Sequence, residues 1–132
     1  MSIGAAISMT SPDAGRIIAA ASLRAQECGE QCFAIMVLHS IRGETTNEEK
    51  EIVAENLGLI MARNASPVVQ ESDDIPGALV SAARQFGVRT LFIGSAKPRI
   101  LGRSVAEKLV RLAPPFDIVI VQRDGGGAEN RR

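Results

Sequence analysis

Tryptophan and tyrosine are absent, and four phenylalanines make up the whole aromatic content, 3% of the 132 residues. With 45% of the chain apolar, the core must be filled by Ala, Val, Ile and Leu, which suits helices laid on a parallel sheet. Net charge is missing too: fifteen basic residues cancel fifteen acidic ones. No global field therefore draws the protein to nucleic acid or to an anionic membrane, and any charged site must be local. One histidine, His39, and two cysteines, Cys28 and Cys32, are too few soft ligands for a structural zinc site. In a reducing compartment the cysteines are expected as two buried free thiols rather than a disulfide or redox switch. No apolar run approaches the roughly 18 residues that a spanning helix needs. The start, Met1-Ser2-Ile3-Gly4-Ala5-Ala6-Ile7, lacks the basic region of a signal peptide. The expected setting is cytoplasmic, with no nucleic-acid partner and no direct insertion into a membrane.

What is present alternates between two patterns. Residues 3–7, 33–38, 90–93 and 116–121 are short apolar runs, as expected of parallel strands covered on both faces. Residues 67–70 form a weaker run whose Pro67 suits a sheet edge. Between these runs the apolar positions recur at helical spacing. Ser11 and Pro12 suit a helix start before Ala14, Ile17, Ile18, Ala21, Ala25 and Cys28, with a stop at Gly29. Thr46 to Glu49 is a possible capping box ahead of the stripe Ile52, Val53, Leu57, Ile60 and Met61. Asp73-Asp74 and Pro76 open the clearest amphipathic helix, Ile75 to Phe86, stopped by Gly87. Ser104 and Glu107 suit a last helix, which Pro114-Pro115 ends. No internal repeat is present.

Five strands alternating with four helices predict a doubly wound, five-stranded parallel sheet in a three-layer α/β/α sandwich over residues 1–122. Two helices are expected on each face, with Ile7, Val37, Leu91, Ile93 and Val119 in the core. Residues 123–132, rich in glycine, have the composition of a disordered tail or linker. Folds of this class place ligands outside the carboxyl ends of the strands, where strand order reverses. That directs attention to the loops after strands one, two and four.

After strand four comes Gly94-Ser95-Ala96-Lys97-Pro98-Arg99-Ile100-Leu101-Gly102-Arg103-Ser104. Glycines let backbone amides approach an anion, a helix start adds free N–H groups, and Lys97, Arg99 and Arg103 add local positive charge. A phosphate group fits this chemistry. The same residues also fit turn glycines, a Ser104 N-cap and ordinary surface cations, since the loop is not a Walker A sequence.

Gly94-Ser95, then Gly102-Arg103-Ser104-Val105-Ala106-Glu107-Lys108-Leu109-Val110-Arg111 and Phe116 to Val121, resemble the C-terminal signature of universal stress protein domains. The likeness runs back through Leu38-His39 and Ala5-Ala6-Ile7 and covers about residues 3–122. It implies the universal stress protein fold, of the adenine nucleotide alpha hydrolase-like kind. It also implies a ligand site among Ser8, Met9, Thr10, His39, Gly94, Ser95, Lys97, Arg99, Gly102, Arg103 and Ser104. Nucleotide-binding members run Gly, two residues, Gly, nine residues, Gly and Ser or Thr, and end strand one in an Asp that meets adenosine. Here Lys97 stands in place of the second glycine, only four residues separate it from Gly102, and Ser8-Met9-Thr10 replaces the Asp. The shortened basic loop is more similar to stress-protein domains of potassium-sensing histidine kinases and of membrane transporters.

The resemblance therefore implies a non-catalytic regulatory domain that senses a phosphorylated small molecule or relays a state to a sensor kinase or transporter, with no obligate cofactor. The alternative is an ATP-binding universal stress protein acting in stress response. Catalysis is not expected: His39 has no acidic partner set by spacing, Ser95 lacks a Gly-x-Ser-x-Gly setting, and neither cysteine has an evident base. A homodimer through Phe116 to Val121 is expected on two grounds. An apolar edge strand needs cover, and the family commonly pairs through its last strands.

Overall fold

The computed structural model describes residues 1–8, 13–38, 46–94, 105–112 and 114–121, with Glu49 described by its backbone alone. The elements alternate throughout: β1 (Ser2–Ile7), α1 (Ala14–Cys28), β2 (Gln31–Leu38), α2 (Asn47–Ala62), β3 (Ser66–Glu71), α3 (Ile75–Gln85), β4 (Val88–Gly94), α4 (Val105–Arg111) and β5 (Asp117–Val121). All four strand pairings are parallel, and the order across the sheet is β3-β2-β1-β4-β5. The expected doubly wound α/β fold is therefore observed, with Pro67 on an edge strand.

Two apolar layers enclose the sheet. On one face Ile3, Ala5 and Ile7 of β1, Ala34 and Met36 of β2 and Phe92 of β4 meet Ile17, Ile18 and Ala21 of α1 and Ile60 of α2. On the other, Ala6, Ile35, Leu91 and Ile93 meet Leu79, Ala82 and Ala83 of α3 and Ala106 and Leu109 of α4. Small alanines along α1 and α3 let the helices lie close on the pleated surface, a solution forced by the scarcity of aromatic bulk. Of the expected core, Ile7, Leu91 and Ile93 are buried, whereas Val37 and Val119 are half-buried. Val119 lies on the outermost strand, where a helix covers less of the sheet.

The helix ends follow local chemistry. Asp74 caps α3, its carboxylate accepting from the Gly77 N–H at 3.1 Å. The chain leaves α1 and α3 through Gly29 (φ 67°) and Gly87 (φ 66°), left-handed conformations that a side chain would resist. Residue 11, expected as the cap of α1, lies outside the described residues. That helix starts at Ala14 with Asp13 in the capping position and no side-chain cap bond.

Two expectations are corrected. The stripe on α2 does not all face inward: Asn56 is 3% exposed and Ile60 fully buried, while Leu57 and Met61 are exposed, Met61 to 71%. Leu59 of the same helix reaches α1, where a Cβ on Gly15 would meet its side chain at 3.2 Å. Val69 of β3 shares its sheet face with Met36 and is left 54% exposed. The cysteines also differ from each other: Cys32 is buried and Cys28 exposed, both free. Cys28 belongs to the last turn of α1, at the rim of the sheet.

Candidate functional site

The strand order reverses direction between β1 and β4, because β1 leads outward to β2 and β3 on one side while β4 leads to β5 on the other. Helices α1 and α4, which follow β1 and β4, lie on opposite faces of the sheet, and folds of this class bind ligands beside the strand ends at such a switch point. Two predicted site residues are described, and both are there. Ser8 follows the last residue of β1 and is exposed; Gly94 ends β4 and is half-buried. Ala6 is level with Ile93, so the two positions stand at the ends of adjacent strands, whose spacing is about 4.8 Å. Met9, Thr10, His39, Ser95, Lys97, Arg99, Gly102, Arg103 and Ser104 lie outside the described residues.

The glycine at the end of β4 leaves room for a side chain of α1. A Cβ at position 94 would lie 2.9 Å from the Ile17 Cδ1 of α1, well inside van der Waals contact. Glycine lets α1 press against the end of β4 and keeps side-chain bulk out of the switch point. Further along α1, the Arg24 guanidinium stands 5.4 Å from the centroid of the Phe92 ring, a cation–π distance. Helix α1 thus touches β4 both at the strand end and at mid-strand. Neither Ile17 nor Arg24 is legible in the sequence as a neighbour of the site. A strand-end glycine does not identify the side chain packed against it.

The opposite pole carries a different cluster. A bulge in the β1–β4 pairing skips Arg89, since Ser2 pairs with Val88 and Ile3 with Thr90, and a bulged residue is free to aim aside. Its Nε donates to the Glu30 Oε1 at 2.9 Å and its Nη2 to the Cys28 Sγ at 3.3 Å. Glu30, by its hydrogen bond and then its charge, holds the Arg89 guanidinium above its usual range. Cys32, in the apolar layer beneath α1, is pushed up to about 11 by burial. Among the described residues no group of three His, Cys, Asp or Glu side chains is placed to hold a metal ion. Among them, too, no helix is long and apolar enough to cross a membrane.

No protein-family model and no curated protein matches the chain. Solved structures do. The universal stress protein from Archaeoglobus fulgidus superposes with a TM-score of 0.65 at 23% identity, covering 91% of this chain and 92% of that one. The structure of the Archaeoglobus fulgidus protein in complex with dAMP gives a TM-score of 0.62 at 21% identity, covering 91% and 96%. A universal stress protein in complex with cAMP gives 0.63 at 17% identity, covering 90% and 96%. The likeness spans nearly the whole of each chain and establishes the fold.

Proposed function

We propose that this chain is a regulatory domain of the universal stress protein type, which binds a phosphorylated small molecule at the carboxyl ends of β1 and β4 and passes the bound state to a partner. The observation that carries this reading is the switch point itself, with Gly94 pressed under α1 and the basic stretch Lys97, Arg99 and Arg103 directly following it in the chain. Backbone amides and cations at such a point suit an anion. Ser8-Met9-Thr10 stands where nucleotide-binding members of the family carry an Asp that meets adenosine, so that contact is missing here. Anion recognition is thereby favoured over recognition of a whole nucleoside. The partner in this reading is a membrane sensor kinase or transporter, met on its cytoplasmic side, and no group of the chain is assigned to catalysis.

Self-association through β5 belongs to the same proposal. The strand lies at the sheet edge with Ile120 41% exposed, whereas the other edge, β3, carries Pro67 and Glu71, which discourage pairing. A second reading, an ATP-binding stress protein, is favoured by the solved dAMP and cAMP complexes of proteins with this fold.

Calorimetric titration separates the two. The regulatory reading expects ATP and AMP to bind more weakly than micromolar, with a thermal-shift response to an anion such as inorganic pyrophosphate that Lys97→Ala with Arg99→Ala removes. A ligand at 100 times its Kd stabilises the fold by about 2.7 kcal/mol, which such a screen resolves. Micromolar ATP affinity would establish the second reading instead. No response to any phosphorylated ligand would remove both.

A further inference from the structure

We draw no further inference here: the strongest candidate, the exposed apolar side chains of Leu38 on β2, Val69 on β3 and Leu57 and Met61 on α2, carries none because nothing in the structure shows what covers them.

Discussion

Replacing Cys32 by alanine should reverse its effect on stability with pH. The thiol is 5% exposed, packed with Ala34 and Met36 beneath α1, and burial raises it from an ordinary 9.0 to about 11. Because the folded value is the higher one, the unfolded chain releases this proton first. The stability tied to the neutral thiol is complete below pH 9 and is lost as pH rises from 9 to 11. Two units at 1.36 kcal/mol each make the full loss about 2.7 kcal/mol, about half of it reached at pH 10. Against this, Cys32→Ala removes one buried heavy atom and leaves a small void, at a cost of roughly 1 to 2 kcal/mol at neutral pH. The two terms have opposite signs above pH 9. Urea unfolding under reducing conditions at pH 7, 8.5 and 10.5 should therefore show the variant less stable at pH 7 and equal to or above the wild type at pH 10.5. Cys28→Ala, at an exposed thiol that accepts from Arg89, controls for removal of a sulfur outside the core. A constant gap between wild type and Cys32→Ala across that range would refute the reasoning, since it would mean that the thiol ionises alike in both states.

Gly94→Val should cost no more than about 1 kcal/mol, because the atom it meets is the free end of the Ile17 side chain, and it should cost less still in an Ile17→Ala background, itself destabilised by about 2 to 5 kcal/mol; denaturant midpoints of the two singles and the double measure the coupling. Asp74→Ala should cost about 1 kcal/mol by freeing the Gly77 N–H, with Asp74→Asn losing less, as read by thermal unfolding. In light scattering across a concentration series, Ile120→Lys should shift mass from dimer toward monomer with circular dichroism unchanged; a wild-type particle that stays at 14.0 kDa into high micromolar concentration would remove the β5 interface.

Residue order alone carried the alternation of strands and helices, because continuous runs such as residues 33–38 and a 3.6-residue recurrence such as Ile75, Leu79, Ala82 and Ala83 are local properties of the chain. It also carried the stops at Gly29 and Gly87 and the cap at Asp74, which depend on neighbours within four residues. The loops to examine followed from the fold class, and the structure places Ser8 and Gly94 together at the switch point. Only the tertiary structure decided the order β3-β2-β1-β4-β5, since periodicity reports which face of a strand is apolar but not which strand lies beside it. It alone decided that Asn56 goes inside while Met61 stays out, because burial on α2 depends on which side of that helix meets α1 and the sheet. The fates of Cys28 and Cys32 divide for the same kind of reason. Four residues apart in the chain, they fall on either side of the turn between α1 and β2, one at the rim of the sheet beside Arg89 and one beneath the helix. Spacing along a chain does not encode distance from a surface that forms only when distant segments pack.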